Sequence, residues 1–128
     1  MLNQVILVGR VVETPSLTDL DGMYTVSTLT LAVARPFKNM EGNFDTDFIK
    51  ISLWNGIAQN ASEYIKKGDI VGVKGRIVIK DKEVSFNKGE EVYKKKIIVH
   101  DIIGERVIFI HSARRKKDED YLNNNEDK

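Results

Sequence analysis

The chain has 128 residues and no cysteine. That length favours one domain whose core needs no covalent staple, and the missing thiols exclude disulfides and thiolate metal sites. The net charge of +1 hides an asymmetry: residues 1–117 hold 19 Lys and Arg against 14 Asp and Glu, a net +5, whereas residues 118–128 carry −4. No stretch approaches the apolar length of a membrane span, and Met1-Leu2-Asn3-Gln4-Val5 lacks the basic-then-apolar pattern of a secretory signal. A soluble cytoplasmic protein is the expectation.

Val5 to Val12 is a β-branched run closed by Glu13-Thr14-Pro15, the first expected strand. Asp21-Gly22 marks a turn. Tyr24 to Arg35 alternates Leu29, Leu31 and Val33 with Thr28, Thr30 and Ala32, a second strand. Pro36 to Asn43 reads as a polar connection. The third strand, residues 46–54, puts Ile49, Ile51 and Leu53 on one face and Phe48, Lys50, Ser52 and Trp54 on the other, because strand side chains alternate sides. Ile57, Ala58, Ala61, Tyr64 and Ile65 then fall at helical spacing, and Gly68 after Lys66-Lys67 is the expected stop.

Ile70 to Lys80 alternates again. Val71, Val73, Ile77 and Ile79 share one side, and Lys74, Arg76, Val78 and Lys80 share the other. Asp81 to Lys96 is a charged hairpin region around Asn87-Lys88-Gly89, and Ile97 to Ile110 is the last strand, bent at Gly104. Five short strands with one helix between the third and fourth predict an all-β OB-fold, a five-stranded Greek-key barrel. The barrel domain is expected over residues 1–111. Residues 112–128, basic at Arg114-Arg115-Lys116-Lys117 and then acidic and Asn-rich, are expected to be a disordered tail.

Catalytic chemistry finds little to stand on. His100 and His111 lie in the last strand without a nearby nucleophile, and no phosphate-cradling glycine motif is present. Gly68, Gly72 and Gly75 fit barrel bends or close backbone approach better than a phosphate loop. Asp45 and Asp47 form a loop pair of carboxylates that is more often solvated than metal-bound. No enzyme, cofactor or metal is expected.

The positive signal is a combination. Phe48 and Trp54 flank Lys50 on a strand face that Lys50 and Ser52 mark as solvent-exposed. Phe37 follows the second strand, Lys74, Arg76 and Lys80 line the fourth, and Phe86 and Tyr93 sit in the hairpin among Lys82, Lys88 and Lys94-Lys95-Lys96. Rings that stack on unpaired bases, set among cations that pair with phosphates, describe a groove for a single strand. Each piece has an ordinary reading too: Phe37 as a loop anchor, Phe86 folded on its own hairpin, the lysine run as solvated surface. Stacking alone does not separate DNA from RNA.

Five segments in register resemble bacterial single-stranded DNA-binding proteins. They are Asn3-Gln4-Val5-Ile6-Leu7-Val8-Gly9-Arg10, Leu29-Thr30-Leu31-Ala32-Val33-Ala34, Thr46-Asp47-Phe48 leading into Leu53-Trp54, Ala61-Ser62-Glu63-Tyr64-Ile65-Lys66-Lys67-Gly68-Asp69 and Val73-Lys74-Gly75-Arg76-Ile77. The resemblance covers roughly residues 1–110. It implies an OB-fold homotetramer that wraps single-stranded DNA without sequence preference, in replication, repair and recombination, at the nucleoid. It implies stacking at Phe37, Phe48 and Trp54 and basic contacts at Lys50, Lys67 and Lys80.

Two departures stand out. Where some members place a further stacking ring, this chain has Lys82, with Phe86 as the substitute. The tail ends at Lys128 without the family's terminal Ile-Pro-Phe, so recruitment of replication and repair enzymes is not carried over. A primosome accessory protein, an RNA-binding OB domain and a protein-docking module remain the alternatives.

Overall fold

The computed structural model describes residues 1–113; the expected tail lies, from Arg114 onward, outside the described residues. The elements are β1 (Val5–Val11), β2 (Thr18–Leu20), β3 (Tyr24–Lys38), β4 (Phe44–Trp54), α1 (Asn55–Tyr64), β5 (Ile70–Lys88) and β6 (Glu91–His111). β1 pairs antiparallel with both β3 and β5, β3 with β4, β5 with β6, and β4 runs parallel to β6. These pairings close a ring, β1-β3-β4-β6-β5, and β2 adds a short outer strand to β3. Closure removes the sheet edges, and the order, with one helix after the third ring strand, is that of the OB-fold.

The period-two pattern explains what fills the barrel. Leu29, Leu31, Ile51, Leu53, Val71 and Val73 point inward and are buried, and Ala58, Ala61 and Ile65 of the helix segment cap one end. Gly75 allows the ring to close around a bend: a Cβ there would run into the carbonyl oxygen of Ile103 on β6. The pairing slips by one residue at this point, with Lys74 opposite Arg106 and Gly75 opposite Gly104. That bulge is the expected bend of the last strand.

Four expectations need correction. First, the helix stops at Tyr64, not at Gly68. Ile65 turns extended (φ −95°, ψ 130°), and the buried Asp69 carboxylate accepts the Lys66 N–H at 2.9 Å, holding the chain in a loop instead of another helical turn. Second, Ile77 and Ile79 keep the face of Val73 but are not core. Beyond Gly75 the β5–β6 pair leaves the barrel, so Ile79 is 64% exposed and Ile98 on β6 is 66% exposed. Asn3 pins the exit point, its side chain donating to the Ile77 carbonyl at 2.7 Å and accepting the Ile77 N–H at 2.9 Å.

Third, the hairpin expected over 81–96 is present, but it continues both strands, so β5 does not end at Lys80 nor β6 begin at Ile97; a two-residue turn at Gly89-Glu90 between paired Lys88 and Glu91 closes it. Fourth, β3 does not end before Pro36. The register slips between Ala34 and Lys38, and this irregularity takes up Pro36, which has no N–H to give, before pairing resumes at Lys38 and Phe44. β2 has no counterpart among the expected strands.

Candidate nucleic-acid interface

The outer face of β4 carries the expected series. Phe48 stands beside Ala32, Lys50 beside Thr30, Ser52 beside Thr28 and Trp54 beside Val26. Small neighbours leave the large groups standing clear, and Phe48 is 67% exposed. At strand spacing Phe48 and Trp54 lie about 20 Å apart. Lys50 makes no ion pair among the described residues.

Trp54 is half-buried, because it ends the strand where the chain turns into α1. Asn55 makes that corner at φ +53°, a left-handed conformation that Asn tolerates better than most residues. Its side-chain oxygen accepts the Thr25 N–H at 3.3 Å, and the Thr25 hydroxyl donates to its carbonyl at 3.4 Å. Leu20, Met23 and Tyr24, from the β2–β3 turn, line a shallow groove with Trp54 and Asn55. Tyr24 and Met23, both exposed, thus extend the ring surface beyond what the sequence suggested. Their only sequence signal is that Tyr24 has the parity of Thr28 and Thr30.

Toward the other neighbour, β6, the face meets a polar cluster. Ser52 Oγ lies 3.2 Å from both carboxylate oxygens of Asp101, and Lys80 Nζ is 3.1 Å from one of them. Asp101 had no place in the sequence reading, since nothing local marks a lone carboxylate in an apolar run. Beyond it the even positions of β5 carry Lys80, Lys82 and Phe86 along one side of the ribbon. Lys82 lies opposite Ile97, and Phe86 opposite Tyr93. Phe86 is half exposed there. Tyr93 donates to the Glu91 carboxylate, and this hydrogen bond, with burial, holds its phenol above the ordinary value.

Phe37 is 81% exposed near the end of the β3–β4 hairpin, close in sequence to Lys38, whose ammonium sits 5.7 Å from the centre of the Phe44 ring. Phe44 escaped the sequence reading because the expected strand began later. Asp45 and Asp47 serve this hairpin. Arg35 meets both oxygens of Asp47, at 2.9 to 3.2 Å, and reaches Asp45 at 3.9 Å. The Arg35 hydrogen bond holds the Asp47 carboxyl below the ordinary range. Asn39 then closes the loop, its oxygen accepting the N–H groups of Glu41 and Asn43 at 2.9 Å.

Not every candidate joins this surface. Arg76 lies two strands from Ser52 in the row Ser52–Ile103–Arg76 and reaches Glu105 at 4.0 Å. Lys74 is farther round the barrel, between Ile6 of β1 and Arg106 of β6. Lys67 sits in the loop after α1, its N–H donating to the Thr14 hydroxyl at 3.1 Å, with a helix of about 15 Å between it and Trp54.

A closed OB barrel that sets Phe48, Lys50 and Trp54 on the outer face of β4 defines the class. The sequence model of the Single-strand binding protein family matches residues 2–103, and the chain belongs to that family. Single-stranded DNA-binding protein 3 of Listeria innocua is 38% identical over 126 residues, 98% of this chain and 74% of that protein. Single-stranded DNA-binding protein B of Bacillus subtilis is 37% identical over 117 residues, 91% of this chain and 97% of that one. Among solved structures, a deletion mutant of the single-stranded DNA binding protein from Thermus aquaticus superposes with a TM-score of 0.63 at 22% identity. That match covers 88% of this chain and 52% of the other, and it bears on the fold alone.

Proposed function

We propose that this chain binds single-stranded DNA without sequence preference and so protects and organises exposed strands in replication, repair and recombination. Bases stack on Phe48 and Trp54, and on Phe37 and Phe86 at the two hairpins; phosphates pair with Lys50, Lys80 and Lys82. Arg76, Lys74 and Lys67 serve a strand that continues around the barrel. The role is binding and not catalysis, performed by residues 1–111 in the cytoplasm at the nucleoid, with 112–128 as a tail whose acidic part beyond Lys117 is dispensable for DNA binding. Among the described residues no helix is long and apolar enough to cross a membrane.

The observation that carries this reading is the exposed ring of Phe48 and the half-buried ring of Trp54 flanking Lys50 on a barrel strand. Assembly into a homotetramer belongs to the same reading. Its support is an aliphatic surface on β1-β5-β6, where Ile6, Val8, Ile108 and Ile110 stand exposed around the buried Gly72. A face of this kind calls for a partner.

The test is titration of the protein's one tryptophan with oligo-dT at several salt concentrations. Log affinity falls with log salt by about 0.7 for each phosphate neutralised on a single strand. Salt-independent affinity, or equal affinity for duplex, overturns the proposal; equal affinity for matched RNA removes its DNA specificity.

A further inference from the structure

Three lysines line the surface beside β4, and they are not alike. Lys50 and Lys82 make no ion pair among the described residues, whereas Lys80 is held by Asp101 at 3.1 Å. Asp101 is no ordinary surface acid. Its side chain is only 22% exposed. The Ser52 hydroxyl, 3.2 Å from both of its oxygens, has its one proton to donate to them and is a second tether beside Lys80. Ser52 itself lies between Lys50 and Trp54, so an anchored negative charge sits in the middle of the proposed phosphate path. The other acid on this side of the ribbon, Glu91, is at its far tip, opposite Lys88.

We propose that Asp101 is a positioning residue that withholds Lys80 from the DNA backbone, making it a cation the phosphate must take over from a resident carboxylate. This rests on the single-stranded DNA reading of the surface. A free lysine that neutralises a phosphate releases the cation condensed there, and that release drives binding at low salt. A lysine already neutralised by a fixed carboxylate brings no net charge to the phosphate, so that cation is not released. The phosphate also meets the uncompensated charge of Asp101 once the pair opens. The result is a local weak point between two stacking positions, from which a bound strand peels more readily than from Lys50 or Lys82.

Ser52 makes the device specific. A carboxylate free to rotate would swing into water as DNA approached. One that is largely buried and accepts from Ser52 is less free to turn away, and its charge stays with it.

The experiment is a double-mutant cycle on the full chain. Wild type, Asp101→Asn, Lys80→Ala and the double variant are titrated with one oligo-dT at a series of salt concentrations. Asparagine keeps the shape and can still accept from Ser52, and thermal melting of each variant confirms the fold. Asp101→Asn is expected to bind more tightly and with a steeper salt slope, by up to about 0.7 for one recovered phosphate contact. Its advantage over wild type should therefore grow about fivefold for each tenfold fall in salt. Lys80→Ala should remove the steeper slope in the Asp101→Asn background, and in the wild type it leaves Asp101 unpaired, so the double variant should bind more tightly than Lys80→Ala alone. Equal slopes for wild type and Asp101→Asn, or a double variant that keeps the steeper slope, overturn the proposal. Should no variant bind oligo-dT in a salt-dependent way, it is the underlying binding function that fails.

Discussion

Replacing Phe48 by alanine separates a ligand-facing ring from a core ring most cleanly. Trp54 is the obvious alternative, but its half-buried ring closes the corner into α1, so its removal mixes stability with affinity. Phe48 is 67% exposed, leaving about a third of its surface in contact with the protein. Full burial of such a side chain stabilises by about 1.5–3 kcal/mol, so Phe48→Ala should cost only about 0.5–1 kcal/mol of folding free energy. A lost stack costs about 1–3 kcal/mol of binding, roughly a 5- to 150-fold weaker dissociation constant. Ile51 provides the contrast. It is fully buried three residues along, on the opposite face. Ile51→Ala should cost about 2–5 kcal/mol of stability, with affinity per folded molecule unchanged. Thermal melts and the Trp54 fluorescence titration read the two quantities separately. If Phe48→Ala melted as low as Ile51→Ala while oligo-dT affinity stayed intact, the outer face of β4 would be packing surface and the reasoning wrong.

Three further outcomes follow from the geometry. Gly75→Ala should lower stability by about 1–3 kcal/mol, as overpacking does, because the new methyl meets the Ile103 carbonyl; an unchanged melting temperature would mean that β5 and β6 separate there without strain. The Asp47 carboxyl titrates below its unfolded value near 3.9, so its contribution is present above that pH and lost as pH falls through the lower folded value. The difference in melting temperature between wild type and Asp47→Asn should accordingly shrink on acidification below about pH 4, and a difference that is constant from pH 7 to pH 3 would contradict the pairing with Arg35. Val8→Glu, in the aliphatic surface around Gly72, should reduce the assembled mass in sedimentation without unfolding the barrel, and a wild type already monomeric at micromolar concentration would refute the tetramer.

Much of the barrel was legible because alternation and burial coincide inside it. Ile49, Ile51 and Leu53 faced inward and Phe48, Lys50 and Trp54 outward, as a period of two requires. Alternation reports which side a residue faces, not what covers that side. Ile77 and Ile79 continue the phase of Val71 and Val73 past the point where the barrel ends, and nothing in the spacing marks that point. Thr18–Leu20 is too short and too exposed to leave a pattern. Pro36 looked like a strand terminator because the irregularity that accommodates it is a property of the pair. Gly68 looked like a helix stop, but its left-handed φ of +92° serves a turn whose N–H donates to the Val11 carbonyl at 2.9 Å. Of the candidate surface, the β4 rings could be read locally. The Ser52–Asp101–Lys80 cluster could not, since it joins three strands.

The β5–β6 ribbon leaves the barrel as two strands with nothing behind them, and an isolated two-stranded ribbon is marginally stable in water. Its two sides carry different residues. Ile79 and Ile98 lie on one beside Asp81, Glu83, Lys94 and Lys96, and Lys80, Lys82 and Phe86 lie on the other beside Ile97 and Val99. A second copy of the chain on the first side and a nucleic acid on the second would each have to order the same ribbon. Whichever arrives first lowers the entropy loss left for the second, so the two events are coupled with no contact between the ligands. Linkage makes that coupling mutual: assembly strengthens DNA binding by the same factor by which DNA strengthens assembly.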